Sequence, residues 1–161
     1  MTLADRVADQ ELRLLRGLTS GAIASGVVGA AALAVGLVPG RRAAFAFGRQ
    51  TLAWAAVDGV IAALGRRGSS RPENDGDARD RARRMRTITA VNAVADVGYV
   101  AGGLALARWK PSLRADGVAV VIQGAFLLVL DTWHARAFGQ LARDAGAAVA
   151  EDAPDTATTA G

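Results

Sequence analysis

Four stretches of nearly unbroken apolar sequence, separated by short polar breaks, organise this chain: residues 17–38, 43–65, 87–107 and 115–138. Each is close to the roughly 20 residues that an α-helix needs to cross a hydrocarbon layer about 30 Å thick. Pro39-Gly40 and Lys110-Pro111 punctuate the two short connections, so the first two helices pair antiparallel and so do the last two. The pattern predicts an all-α fold, a four-helix transmembrane bundle of two antiparallel hairpins that occupy residues 17–65 and 87–138.

The flanks read differently. Residues 1–16 carry Leu3, Val7, Leu12, Leu14 and Leu15 among charges, the pattern of a cytoplasmic or interfacial helix leading into the first span. That span is too long for the apolar core of a cleaved signal and reads as a signal anchor. Residues 66–86 open with Gly68, Ser69, Ser70, Pro72, Asn74 and Gly76, then mix arginines with acids, leaving Ala78, Ala82 and Met85 as apolar positions. This is a solvated linker, expected to turn helical from about Asp77. Residues 139–161 become a tail of Ala, Thr, Asp and Pro, too poor in large apolar groups to fold alone and expected to be largely disordered.

Composition narrows the function classes. The 161 residues are 52% hydrophobic but only 5% aromatic, so the apolar surface is mostly Ala, Val, Leu and Gly, which suits closely packed helices. Cysteine is absent, which excludes disulfides, thiolate metal sites and cysteine nucleophiles. The net charge of +4 does not point to nucleic acid, because the arginines cluster at span ends without interleaved aromatics. About 13 of the basic residues flank one side, namely Arg6, Arg13, Arg16, the linker arginines, Arg136 and Arg143, against about 6 on the other. The positive-inside rule then places both termini and the linker in the cytoplasm of a multi-pass protein of the inner (plasma) membrane. The expected partners are the lipid bilayer, anionic lipids at the arginine-rich linker, and a second copy of the chain.

Three acids, Asp58, Asp96 and Asp131, fall inside the apolar segments. A carboxylate in hydrocarbon costs several kcal/mol unless paired, solvated or protonated, so such residues face a bundle interior and often mark a site. Counted from the cytoplasmic span ends, all three lie roughly 10 to 14 Å deep, with Gln50 and Gln123 about 22 Å in as a second, outer layer and Tyr99 between. Asn92, Asp96 and Tyr99 share a stripe of the third helix at i, i+4, i+7, whereas Gln50, Trp54 and Asp58 spread over a wider arc of the second. Asp116 belongs to the first turn of the fourth helix, where it reaches water and suits the helix dipole. Gly21, Ser25 and Gly29, with Gly98 and Gly102, are read as helix-packing positions. Gln50 precedes Asp58 by the same step as Gln123 precedes Asp131, an echo too short to establish a duplication.

Trp54 four residues before a polar position, the stretch from Asn92 to Gly103 (NAVADVGYVAGG) and the stretch from Gln123 to Asp131 (QGAFLLVLD) resemble an uncharacterised bacterial family of small four-helix membrane proteins. The resemblance covers most of the spanning region and excludes the linker and tails. It implies the architecture and no activity, and it implies Asn where this chain has Asp58.

The candidate ligand-binding residues are Asp58, Asp96, Asp131, Asn92, Gln50, Gln123, Tyr99 and Trp54. No Lys lies within the spans, and Arg49 is about 13 Å along the axis from Asp58, so the acids have no evident cationic partner in the sequence. The first expectation is a structural or accessory membrane protein whose polar groups set helix register. The alternative is a transporter or sensor that binds a cation, a proton or a small ligand. A metal-dependent membrane enzyme using Asp131 and His134 ranks lower, since the lone His134 reads as an interfacial residue. No nucleophile constellation, P-loop or dinucleotide fingerprint occurs, so neither enzyme activity nor a cofactor is expected. A soluble four-helix bundle with surface aspartates is disfavoured because residues 17–38 contain no charge at all.

Overall fold

A computed structural model describes the backbone of residues 1–151 and the side chains of residues 1–146. Four long helices make up the fold: α1 (Leu3–Gly36), α2 (Arg42–Gly68), α3 (Asp75–Trp109) and α4 (Arg114–Glu151), the last preceded by a single 3₁₀ turn at Pro111–Leu113. Among the described residues there is no strand.

Local chemistry sets the helix ends. Thr2 and Asp5 form a capping box at the start of α1, each side chain bonded to the other's backbone N–H, which satisfies two donors that a bare helix start would leave orphaned. Asn74 caps α3 by accepting from the Asp77 N–H at 2.9 Å, and Asp75 and Asp77 sit in the first turn at the positive end of the dipole. Gly40, at φ 85°, takes the left-handed conformation that turns the chain from α1 into α2.

The helices pack as two hairpins. In the first, Gly29 and Gly48 let α1 and α2 approach so closely that a Cβ on Gly48 would strike the backbone of Leu33. In the second, Gly103 and Gly117 do the same for α3 and α4, and a Cβ on Gly117 would lie 2.6 Å from the Ala107 nitrogen. Small residues that bring backbones together are how helices associate where no hydrophobic force separates them from their surroundings. Gly21 lies under the Phe126 ring, as a packing position should, but Gly98 and Gly102 face nothing within 4 Å. Their expected role in packing does not hold within this chain. The hairpins join mainly through α4 against α1 and α2, while the backbones of α2 and α3 stay apart.

The N-terminal segment and the second half of the linker are helical, continuous with α1 and α3, whereas residues 139–151, expected to start a largely disordered tail, continue α4; residues 152–161 lie outside the described residues. The starts of α1 and α3 and the end of α4 share a core of Ala4, Val7, Ala78, Ala82, Phe138 and Leu141. Ion pairs Arg6–Asp144 and Arg71–Asp5, each at 2.8 Å, lace its surface. The reason is legible in retrospect: Ala78, Ala82 and Met85 fall on one helical face, so a segment dominated by arginines still offers a narrow apolar stripe.

Three of the four expected spans are long and apolar enough to cross a membrane: α1, α3 and the run 111–146. Arg49, Gln50 and Asp58 dilute the apolar character of α2. In α3 only 11% of the apolar window is buried within the chain. Ile23, Val27, Val60, Leu64, Val94 and Val129 are among the large side chains turned outward, an inversion of the usual inside-apolar arrangement.

Candidate functional site: an acidic cavity between the hairpins

The gap left between α2 and α3 is a cavity of about 330 Å³. Asp58 from α2, Asp96, Asn92 and Tyr99 from α3, Asp131 from α4 and Trp54 from α2 line it, together with apolar side chains of all four helices such as Leu18, Val57, Ile88 and Leu127. The three carboxylates are 1%, 3% and 7% exposed, respectively for Asp58, Asp96 and Asp131. Six of the eight candidate residues therefore meet at one place.

Inside the cavity the acids divide into two sets instead of one ring. Asp96 and Asn92 from α3 and Asp131 from α4 line the same side of the cavity, across the α3–α4 interface. Two ionised carboxyls so placed have no donor to offer each other, because a carboxylate only accepts. Asp58 instead accepts a hydrogen bond at 2.5 Å from the Gln123 amide, whose oxygen accepts from the Ser25 hydroxyl at 3.1 Å. That relay ties α1, α4 and α2 together.

This corrects the expected layering. Gln123 is buried against Asp58 and is not part of a separate outer layer; the long glutamine side chain bridges the offset that counting along helix axes ignored. Gln50 is half-buried, does not line the cavity and makes no side-chain hydrogen bond among the described residues. The 80° divergence between Gln50 and Asp58 around α2 is the physical reason.

Other expectations also fail. Asp116 is buried, not water-facing, and accepts from the Arg49 guanidinium at 2.9 Å, a link between α2 and α4 toward the end opposite the linker. His134 is fully buried instead of interfacial. The Gln10 amide donates to its Nδ1 at 3.0 Å, which leaves the ring proton on Nε2, and the Trp133 ring stands edge-on at 4.6 Å. Among the described residues, no three His, Asp or Glu side chains converge as a metal-binding group. Asp131 lines the cavity, while His134 does not and is bonded to Gln10.

Two groups in the site are unsatisfied. Asp96 Oδ2 and Trp54 Nε1 are buried without a hydrogen-bond partner. Among the described residues, no Arg or Lys pairs with Asp58, Asp96 or Asp131. Native structures leave few such groups, and each calls for a physical account.

Sequence reasoning missed an ion pair beyond the linker end of the cavity. Toward the linker a second space of about 540 Å³ adjoins the cavity, and the two share Leu14, Leu15, Gly65, Met85 and Ile88 as walls. Glu11 is buried there and takes the Arg81 guanidinium in a two-point grip, Nε to Oε1 at 2.5 Å and Nη2 to Oε2 at 2.7 Å. Arg81 also donates to the Ser70 carbonyl at 2.6 Å, holding the α2–α3 connection in place. The 70-residue separation hid this pair, although Glu11 facing the same side as Leu14, Leu15 and Val7 was a signal.

Comparison with the curated proteins and with the solved structures finds no match. Residues 17–132, which hold the first three apolar stretches, most of the fourth and every cavity-lining acid, match the family of unknown function DUF6992, and the chain belongs to that family.

Proposed function

We propose that this is an integral membrane protein that binds a cationic ligand in the cavity between α2 and α3, as a transporter or sensor does, and that its role is binding and not catalysis. The observation that carries the reading is the buried, unpartnered Asp96 Oδ2 beside Asp131, in a space large enough for a ligand and without a cation from the described chain. A buried carboxylate lacking any compensation is costly, and a bound cation removes that cost. Asp58 keeps the structural role expected first: with Gln123 and Ser25 it hydrogen-bonds three helices into register.

The outward-facing apolar side chains support a lipid environment, since an exposed apolar surface of this extent would be driven to aggregate in water. The bonds that join residues 5, 6, 10 and 11 to the linker and to α4 gather the arginine-rich segments at one end of the bundle, which suits a cytoplasmic head with both termini and the linker on that side. A groove bearing Arg86, Arg136 and Arg143 at the same end fits contact with anionic lipid headgroups.

Asp→Asn replacement tests the assignment. In mild detergent, wild-type thermal stability should depend on pH and added cations, and Asp96→Asn should abolish that dependence while leaving the helical content intact. Asp58→Asn should keep the dependence but lower stability by about 1 kcal/mol, the size of an interhelical hydrogen bond in membranes. A wild-type protein indifferent to both pH and cations would overturn the binding role.

A further inference from the structure

We infer that the cation this cavity takes is a small organic amine in its protonated form, an N–H-bearing ammonium on an apolar body, admitted through the linker-end opening between α2 and α3. The inference rests on the binding role proposed above and specifies its ligand.

Four features select this class. The space of about 330 Å³ lies near the lower end of small-molecule sites, about 300–1,000 Å³, and far exceeds the needs of a proton. A hard inorganic cation requires some six or more oxygens around it, yet Asp58 is already engaged by Gln123 and the remaining walls are mostly hydrocarbon. An anion is repelled by the carboxylates, and a neutral apolar molecule would leave Asp96 Oδ2 unpartnered. A protonated amine gives that oxygen an N–H donor and a compensating charge at once.

The aromatic residues supply the rest. Trp54 and Tyr99 meet edge-to-face across the gap with ring centroids 5.1 Å apart, roughly one helical turn beyond Asp58 and Asp96. Aromatic rings attract an ammonium over their faces and also cover an alkyl substituent. Trp54 Nε1, buried and without an acceptor, would gain a partner from a ligand oxygen, so an amine that also bears a hydroxyl or carbonyl should bind more tightly than a bare alkylamine. Access is assigned to the linker-end space, which shares Leu14, Leu15, Gly65, Met85 and Ile88 with the cavity and also carries Asp80.

The experiment uses the full-length protein in detergent with tripropylammonium chloride as the probe, sodium and calcium chloride as comparisons, and melting temperature and probe binding by calorimetry as readouts. Saturable stabilisation by tripropylammonium is expected. It should vanish in Asp96→Asn and weaken roughly fivefold in Trp54→Leu, the loss of about 1 kcal/mol of cation–π attraction. Trp54→Leu leaves the carboxylates in place, so it decides the question even if Asp96→Asn fails to fold. If sodium or calcium stabilises saturably and the amine does not, the organic-ligand assignment falls while the cation-binding role stands. If nothing shifts the wild type, both fall. Equal effects of the amine on wild type and Trp54→Leu would mark an effect on the micelle and overturn the assignment.

Discussion

Replacing Arg81 by Ala should unfold the linker-end head of the bundle more readily than any other single charge removal there. Its partner Glu11 has a side chain only 5% exposed and relies on the guanidinium at both oxygens, with Ser69 Oγ at 3.4 Å as the remaining neighbour. Removing one member of a fully buried pair costs about 3–5 kcal/mol, because the other is left charged and dry. Arg81 is 26% exposed, so part of the pair is already solvated, and the lower end, about 3 kcal/mol, is the expected value. The reverse change, Glu11→Ala, should cost less, about 1–2 kcal/mol, since Arg81 keeps its bond to the Ser70 carbonyl and can draw in water. The double replacement by Met should come back close to wild type, as apolar substitutes for buried ion pairs do. Equilibrium unfolding in mixed micelles, followed by circular dichroism, measures all three. An Arg81→Ala cost below about 1 kcal/mol, or one no larger than that of Glu11→Ala, would refute the reasoning from burial.

Glycine replacements should divide by location: Gly48→Ala should disrupt the α1–α2 contact, because the new methyl meets the Leu33 backbone, whereas Gly98→Ala faces open space and should stabilise α3 by up to about 1 kcal/mol. Thermal melts of the two variants check the contrast. His134→Ala removes a fully buried ring and its bond to Gln10 and should cost about 3 kcal/mol; a melting temperature near that of wild type would show that the ring is not packed as described. Orientation can be read cleanly because the chain has no native cysteine. A thiol at Glu73→Cys should react with a membrane-impermeant reagent only after the cells are opened, and one at Ser112→Cys should react in intact cells.

Much of the site was legible because intramembrane polarity is costly. Asp58, Asp96 and Asp131 stand out in apolar sequence whatever the fold, and the i, i+4, i+7 spacing of Asn92, Asp96 and Tyr99 sufficed to place them together on α3. Depth is not legible in the same way: counting along a helix locates a Cα and ignores the reach of a side chain, so Gln123 falls in a separate layer by count yet bonds Asp58. Ser25 looked like a packing residue for a related reason, since a hydroxyl has no function until its partner on α4 is known. Asp116 and Arg49, 67 residues apart, gave no sign of pairing.

The helical character of the chain, its division into two hairpins and the presence of acids in the interior follow from local information, namely run length, turn residues and the energy of a carboxylate in an apolar stretch. Which acid faces which, that α2 and α3 stand apart and leave a cavity, and that arginine-rich flanks close over a small core of Val7, Ala82 and Phe138 depend on contacts between residues distant in sequence. The physical reason is geometric: periodicity specifies a direction around one helix axis, whereas a site is made by the offset, spacing and side-chain reach between several axes, and those exist only once the helices have packed.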